Sequence, residues 1–341
     1  MPLSLIKWTN YEYWPWWFFY LPILPYWLWL SLKTRSLTFF TATNTNIELG
    51  GFFGESKIAI LNQISPEWLP NTFPVRSHQS YEQIQSFIEE HKIMFPFIVK
   101  PNIGERGFNV EKMNTALEFR KYHSLATYDY IIQEFVDYPI ELGVLYHRLP
   151  DDKKGYVTSV TIKEFLTVTG DGQSSILELM NKNTRSRFQI KSMKGKLGEG
   201  IHEILHKNET RLLEPIGNHC RGTRFINGNH LINDRLHLVF NTISNKMNGF
   251  YYGRFDLKVK SIEDLYNGKN IKIMELNGAS SEPGHIYDSS VGIVNAYKDL
   301  AFHWRLLAQI AIQNKRKGIQ PVSFKLIATT FLSHFGKKNT E

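Results

Sequence analysis

The chain has 341 residues, of which 42% are hydrophobic and 21% are charged, so it can bury a sizeable core and is not largely disordered. Its 40 lysines and arginines exceed its 32 acidic residues and give a net charge of +8, which favours anionic partners such as nucleotides, phosphorylated substrates or acidic lipids. No zinc-ligand spacing, Arg/Gly-rich tract or recognition-helix pattern occurs, so we expect no nucleic-acid partner. The single cysteine, Cys220, excludes an internal disulfide and is consistent with a reducing cytoplasm.

The N-terminal region is aromatic and uncharged over the 20 residues 13–32, which is the length of a membrane span. Three prolines interrupt this run, namely Pro15, Pro22 and Pro25. Because each would break a helix and leave backbone groups unpaired in lipid, a true span is the least favoured of three interpretations. The other two are equally favoured: a membrane-surface contact through residues 11–32, for which tryptophan and tyrosine are typical, and an aromatic face packed against the protein's own core. We expect a cytoplasmic protein, with membrane association left open.

The rest of the chain predicts strands and helices in irregular order. Apolar residues at helical spacing predict helices over residues 81–94, 114–126 and about 292–316. Apolar runs bounded by turn residues predict strands over residues 95–101, 128–136, 140–149, 156–168, 249–260 and 271–277. The basic, polar stretch 182–211 is expected to be exposed. Because strands and helices do not alternate as in βαβ units, the expected fold class is α+β rather than a doubly wound sheet.

Lys100 is predicted at the end of a buried strand, four residues before a loop that runs from Gly104 to Gly107. A buried lysine requires an anion, and glycines let backbone N–H groups approach phosphate oxygens closely, with Arg106 as a further cation. The loop has neither the P-loop nor the GxGxxG spacing. Taken alone, the pattern is more typical of a lysine that extends to solvent at a strand end beside a turn.

The predicted strand that contains Arg254 and Asp256 alternates charged and apolar residues, so these two side chains share a face. Glu275 and Asn277 share a face of the last predicted strand. If the two strands pair, Asp256 converges with Glu275 and Asn277, and two carboxylates with an amide suit Mg²⁺. Arg254 beside them suits a site that stabilises a transferring phosphate. The alternative is a strand pair with a charged side facing solvent.

Four segments together resemble the ATP-grasp superfamily, the fold of D-alanine–D-alanine ligases, glutathione synthetases and the ligase module of cyanophycin synthetase. They lie at residues 95–107 (FPFIVKPNIGERG), 131–144 (IIQEFVDYPIELGV), 163–172 (KEFLTVTGDG) and 253–284 (from GRFDLKVK to IMELNGASSEPG). The similarity covers about residues 95–290, and the order of the segments with the final R-x-D…E-x-N pattern makes the set specific. It implies an α+β fold of two subdomains that clasp ATP, with a reduced or atypical N-terminal region.

The resemblance implies an aromatic, glycine-containing N-terminal region at 1–72, an ATP-grasp lid subdomain at 73–140, a core subdomain with the metal site at 141–295 and a C-terminal helical segment at 296–341. Three departures separate the chain from D-alanine–D-alanine ligases. The usual N-terminal substrate domain is truncated or replaced, the glycine loop reads GERG without serines, and the last loop, NGASSEPG, is three residues longer. The glycine-rich stretch 44–57 either helps to build the acceptor site or is a connecting loop.

For the nucleotide phosphates, the resemblance implies that Lys100 contacts the α- and β-phosphates. Gly104, Arg106 and Gly107 would belong to the flexible loop over them. Lys163 matches a basic residue that often reaches the γ-phosphate in this superfamily.

For the nucleoside, the resemblance implies a hinge strand that places Glu134 against the adenine. Phe135 and Val136 would line the base pocket. Glu141, seven residues after Glu134, would bind the ribose.

For the chemistry, Asp256, Glu275 and Asn277 match the ligands of Mg²⁺ (or Mn²⁺), and Arg254 matches the cation that stabilises acyl-phosphate and tetrahedral states. The implied function is an ADP-forming ligase that joins a small-molecule or peptide carboxylate to an amine through an acyl-phosphate. Two alternatives stay open: an ATP-dependent phosphotransferase of the same fold and a non-catalytic, membrane-associated nucleotide-binding module. The three intact ligand positions favour the enzyme.

Overall fold

In the computed structural model, which describes residues 2–104 and 107–336, the strands pair into two main sheets and one two-stranded ribbon. The strands are β1 (Thr72–Val75), β2 (Phe97–Pro101), β3 (Glu111–Met113), β4 (Tyr130–Glu134), β5 (Ile140–His147), β6 (Tyr156–Glu164), β7 (Thr167–Thr169), β8 (Thr210–Leu212), β9 (Arg224–Asn227), β10 (Tyr252–Val259) and β11 (Ile271–Asn277). The small sheet has the order β1-β4-β2-β3 and the large sheet the order β11-β10-β5-β6-β9. All these pairings are antiparallel.

Helices surround both sheets and connect them. They are α1 (Leu3–Thr9), α2 (Trp16–Tyr20), α3 (Leu24–Thr34), α4 (Lys57–Leu61), α5 (Tyr81–Glu90), α6 (Ala116–Leu125), α7 (Ile176–Lys182), α8 (Thr184–Arg187), α9 (Ile190–Leu197), α10 (Asp234–Ser244), α11 (Ile262–Tyr266), α12 (Ile293–Arg316) and α13 (Phe324–Gly336). Thr115 caps α6 by accepting a hydrogen bond from the backbone of Glu118, and Ser175 forms a capping box with Glu178 at α7. Helices beside antiparallel sheets confirm the α+β class, and two separate sheets agree with the clasp that the ATP-grasp resemblance implies.

Each main sheet has its own core. The small sheet packs Phe97 and Tyr130 against Ile84 of α5 and Phe119 of α6. The large sheet packs against α10, whose buried residues recur at helical spacing, as Leu236, Phe240 and Ile243. The small sheet is built from residues 72–134 and the large sheet from residues 140–277, while the exact division of the chain into four regions stays a prediction.

The stretch 182–211 is not uniformly exposed, contrary to the expectation from its composition. Met193, Ile201 and Leu205 are buried in a third hydrophobic cluster beside the β7–β8 ribbon. The stretch contains few apolar residues, but these pack together in one small core.

One face of the N-terminal aromatic segment packs against the protein itself. Phe19 and Ile23 join Ala296 and Leu300 of α12 in one buried cluster, and Leu30 joins a second cluster further along that helix. Each proline of the segment lies at the beginning of a helical element, where its missing N–H is tolerated. Within the described residues, no helix combines the length and the apolar character that crossing a bilayer requires.

The glycine-rich stretch 44–57 packs directly against the loop that follows β11. The backbone N–H of Ala279 donates to the Gly50 carbonyl at 3.0 Å, and that of Ser280 donates to the Gly51 carbonyl at 3.1 Å. A Cβ atom at Gly51 would lie 2.6 Å from the Cα atom of Gly278. Only glycine allows this approach, so the stretch fixes the loop beside Asn277 whatever else it does.

We expect Gly51→Ala to destabilise the fold more than Gly54→Ala does. Both glycines have a positive φ, +81° and +77°, so alanine carries similar backbone strain at each, but a Cβ at Gly54 meets no atom within 4 Å. The clash at Gly51 should lower the free energy of unfolding by about 2 kcal/mol beyond the Gly54→Ala control, as in overpacked cores. Thermal and chemical unfolding measure this difference, and equal stability of the two variants would contradict the packing described here.

Candidate active site

A cleft of about 850 Å³ lies between the two main sheets. It is lined by every predicted site residue that the structure describes: Lys100, Gly104, Gly107, Glu134, Phe135, Val136, Glu141, Lys163, Arg254, Asp256, Glu275 and Asn277. Arg106 lies outside the described residues. The structure thus brings together residues that are more than 170 positions apart in the chain, such as Lys100 and Met274.

Lys100 connects the small sheet to the large sheet. Its Nζ donates to Gln133 Oε1 at 3.0 Å, on the neighbouring strand β4, and to the Met274 carbonyl at 2.9 Å, on β11. Met274 forms a bulge in β11, because its neighbours Glu275 and Ile273 pair with β10 whereas Met274 has no partner there. Its carbonyl is therefore available to Lys100. Burial lowers the pKa of Lys100 to about 8, against the opposing charge of Glu275. The ammonium therefore sits, charged at neutral pH, at the base of the cleft.

The pairing of β10 with β11 places the predicted metal ligands side by side. Asp256 is directly opposite Glu275, and Arg254 is directly opposite Asn277. Directly opposed residues of an antiparallel pair have their side chains on the same face of the sheet. The convergence predicted from the alternating pattern is therefore present in the structure.

Asp256 is buried among cations. Arg254 Nε and Nη2 donate to its two carboxylate oxygens, each at 3.1 Å, and Lys163 Nζ lies 3.3 Å from Oδ1. Asn277 Nδ2 donates to Oδ2 at 3.1 Å. Burial by itself would raise the pKa of Asp256, but the charges of Arg254 and Lys163 outweigh it and hold the pKa below its ordinary value. Asp256 is therefore an ionised carboxylate whose oxygens contact cations.

Glu275 is held ionised in the same way. Burial acts to raise its pKa, while Lys57 and Lys100 lower it, and the net shift is downward. Lys57 Nζ lies 3.6 Å from Glu275 Oε1. The opposed carboxylates of Asp256 and Glu275 are tolerated because cations from both sides of the cleft compensate their charge.

Glu141, the predicted ribose ligand, is buried and paired with a cation. Lys163 Nζ donates to Glu141 Oε1 at 3.0 Å, and Lys258 Nζ lies 4.0 Å from Oε2. Gly217 covers this carboxylate so closely that a Cβ there would lie 2.0 Å from Oε1. Lys163 thus joins Glu141 to Asp256, and the ribose role of Glu141 stays a prediction.

The predicted base pocket lies on the segment after β4. Lys112 Nζ lies 3.9 Å from the centroid of the Phe135 ring, and the Val136 carbonyl accepts a hydrogen bond from Lys258 Nζ at 3.0 Å. The Glu134 carboxylate accepts from the backbone N–H of Asn71 at 3.0 Å, at the exposed rim. Contact between adenine and Glu134 therefore stays a prediction, whereas Phe135 and Val136 present an apolar wall to the cleft.

Sequence reasoning missed Lys57, which lines the cleft, and Arg221, whose neighbours Cys220 and Gly222 line it. Lys57, at the start of α4, donates to the Gly104 carbonyl as well as facing Glu275. Arg221 donates to the carbonyls of Gly107 and Val110, at 3.4 and 3.1 Å. Both hold the two described ends of the glycine loop over the cleft. Neither residue has a local signal, because each contact joins segments that are distant in sequence.

The far end of the cleft is built by the N-terminal segment. Glu12 is buried and accepts from His219 Nε2 at 3.0 Å and from Arg185. Burial acts to raise the pKa of Glu12, but these two partners lower it overall. Nearby, the Tyr287 hydroxyl donates to Glu282, whose pKa burial raises to about 7. This end therefore offers a carboxyl group that can exchange a proton at neutral pH.

Tyr11, Trp14, Phe19 and Tyr287 also line the far end of the cleft. Their rings give it a mainly apolar and aromatic wall, in contrast with the charged centre around Asp256. A molecule bound across the cleft would therefore meet charge at the centre and aromatic surface at this end.

The donor set fits a hard divalent cation. Asp256 and Glu275 are ionised carboxylates on one face and Asn277 adds an amide, which are oxygen donors that Mg²⁺ and Mn²⁺ accept. Asp256 would have to exchange part of its contact with Arg254 and Lys163 for the metal. Among the described residues, no group of three or more His, Cys, Asp or Glu side chains forms a metal-binding cluster, so any site here depends on the amide.

No protein-family model matches the chain, and a search of curated proteins gave no match. Among solved structures, the chain is similar to the D-alanine–D-alanine ligase of Bacillus anthracis (12% identity, 77% of this chain and 69% of that one, TM-score 0.44) and to the VanG D-Ala:D-Ser ligase of Enterococcus faecalis (13% identity, 69% and 57%, TM-score 0.39). It is also similar to a bifunctional glutathione synthetase of Pasteurella multocida (15% identity, 71% of this chain, TM-score 0.36), of which it spans only 35%. TM-scores below 0.5 carry no argument about function, which has to rest on the cleft itself.

We expect ATP binding to weaken as pH rises through the pKa of Lys100. The charged lysine attracts phosphate, and with a pKa of about 8 it is protonated at pH 7 and neutral at pH 9. Affinity should therefore fall about tenfold between these two values. Lys100→Ala should bind ATP at least about tenfold more weakly at pH 7 and lose this pH dependence, whereas Lys260→Ala, outside the cleft, should behave as the wild type. Calorimetric titration measures both effects, and unchanged affinity in Lys100→Ala would refute the phosphate role.

Proposed function

We propose that the protein is an ATP-grasp ligase that uses ATP and a divalent cation to join a carboxylate to an amine, with release of ADP. The observation that carries the proposal is the meeting of Lys100 from one sheet with Lys163 and Arg254 from the other, around two registered carboxylates, Asp256 and Glu275. Lysine and arginine side chains that converge from two sheets suit a polyphosphate, and paired carboxylates suit the cation that accompanies it. The activity and the substrates are inferred from this chemistry.

In this proposal, the cleft residues hold and neutralise the triphosphate. Lys100 and the backbone of the glycine loop bind its oxygens from the small sheet, while Lys163 and Arg254 face it from the large sheet. Asp256, Glu275 and Asn277 would hold Mg²⁺ or Mn²⁺, which neutralises charge on phosphate oxygens when it is bound. Because phosphoryl transfer needs little covalent help from the protein, positioning and electrostatics supply most of the rate.

The proposed reaction has two steps. A substrate carboxylate oxygen attacks the γ-phosphorus of ATP. The bond between the γ-phosphorus and the β–γ bridging oxygen breaks, and ADP leaves. The amine nitrogen then attacks the carbonyl carbon of the acyl-phosphate, and inorganic phosphate leaves with the bonding electron pair. Arg254 is placed to stabilise the negative charge that develops in both steps. We propose Glu282 as the acceptor of the amine proton, because it lines the cleft, accepts a hydrogen bond from Tyr287 and has a pKa that burial raises to about 7.

We expect Asp256→Asn and Glu275→Gln to lower ATP turnover by at least about a hundredfold, because each removes a charge that the cation requires. Glu164→Gln, an isosteric change of an exposed acid that pairs with Arg224 at 3.4 Å, is the matched control and should leave turnover unchanged. ADP release measures turnover, and circular dichroism with thermal melting checks the fold. Retained ADP release in either cleft variant would disprove the metal assignment.

The product separates the proposed ligase from its two alternatives. A screen of amino acids, dipeptides and polyamines with ATP and Mg²⁺ should show acceptor-dependent ADP release and, by mass spectrometry, a product formed with loss of water. A phosphorylated product that accumulates in the presence of amines would instead indicate a phosphotransferase. ATP binding without any ADP release would indicate a non-catalytic module.

A further inference from the structure

The outer face of the N-terminal helices is apolar and exposed. We define the N-terminal apolar face as Trp16, Trp17, Leu21, Leu28, Trp29 and Leu32, whose side chains are between 48% and 78% exposed. Within α3, Leu28 and Leu32 are four positions apart and Trp29 is three before Leu32, which places all three on one side of the helix. The opposite side, with Phe19, Ile23 and Leu30, is buried against α12 and its surroundings. One side of the segment thus packs against the protein's core, and the other side is exposed, as a membrane-surface contact would require.

An exposed apolar patch is typical of an interaction surface, and the charges around this one indicate the kind of partner. No acidic residue occurs between Tyr13 and Ile47, and the only charged residues there are Lys33 and Arg35, both exposed at the end of α3. Lys33 Nζ lies 5.1 Å from the centroid of the Trp29 ring. An apolar face of tryptophan and leucine, bordered by cations and without acids, is the composition that seats in the headgroup layer of an anionic membrane.

A second segment extends this face. The Thr38 hydroxyl donates to the Val322 carbonyl at 2.6 Å, which brings the beginning of α13 next to the end of α3. Phe324 and Leu326 of α13 are also exposed, with Lys325 between them. Two helices therefore present apolar residues and cations at the same edge of the molecule.

We propose that the N-terminal apolar face docks on an anionic phospholipid bilayer, with α3 lying in the plane of the headgroups. The site is a surface contact rather than a span, since α3 has 11 residues and its buried side stays on α12. Trp16 belongs both to this face and to the wall of the cleft, so docking brings the aromatic end of the cleft to the bilayer surface. The docking proposal stands on this surface alone and is independent of the reaction proposed above.

Vesicle flotation of the full-length protein tests the proposal. The wild type should float with vesicles of equimolar phosphatidylcholine and phosphatidylglycerol, bind phosphatidylcholine vesicles more weakly, and lose part of its binding in high salt. The double variant Trp17→Glu/Leu32→Glu should bind at least about tenfold more weakly, because two carboxylates would enter the interface. Lys33→Gln should weaken binding to the anionic vesicles alone by about fivefold. Neither Trp17, Leu32 nor Lys33 lines the cleft.

The matched control is Leu117→Glu/Leu238→Glu, on other faces of the molecule. Leu117 is 78% exposed, as Leu32 is, and Leu238 is 69% exposed against 53% for Trp17, so this control adds the same charge at exposed apolar residues and should bind like the wild type. Thermal melting of all variants checks that the fold is intact. Equal flotation of the two double variants, or no flotation of the wild type, would overturn the proposal. Concentration-dependent dimerisation that only the Trp17→Glu/Leu32→Glu variant loses, without vesicle binding, would assign the face to a second copy of the chain instead.

Discussion

The burial of charge between two sheets is the constraint on which the site depends. Asp256, Glu141 and Lys163 are nearly inaccessible to water, and removing ionised groups from water is costly unless partners compensate. Here each carboxylate has a cation within about 4 Å, and the cations come from different strands. The site can therefore exist only while the strands keep their register, which makes the sheet geometry and the charge pattern mutually dependent.

The link between the two sheets also depends on a buried charge that needs a partner. Lys100 belongs to the small sheet but donates to a carbonyl of the large sheet that a bulge has released from the strand ladder. A polyphosphate in the cleft would offer this lysine better acceptors than Met274 does. We therefore expect a bound polyphosphate to compete with this contact between the two sheets.

The N-terminal segment has two sides with different roles. Its inner side fills the space beside α12 and supplies Glu12 to the far end of the cleft, where Arg185 and His219 anchor it. Its outer side remains exposed and apolar. The inner side thus lines one end of the cleft, whereas the outer side lies on the surface of the molecule.

Local patterns in the sequence predicted most strands of the large sheet and several helices, but not β1, β3 or α10, and the strand predicted over residues 156–168 divides into β6 and β7 of different sheets. Alternation placed Arg254 and Asp256 on one face of their strand, spacing placed Glu275 and Asn277 on one face of theirs, and the prolines of residues 13–32 indicated that a helix there would be broken. Such signals are local because they arise from the periodicity of the backbone. The tertiary structure alone decided which charges meet: the pairing of Lys163 with Glu141, the contact of Lys57 with Glu275 and the burial of one side of residues 13–32. These depend on contacts between segments far apart in the chain, for which no short stretch of sequence carries a periodic signal.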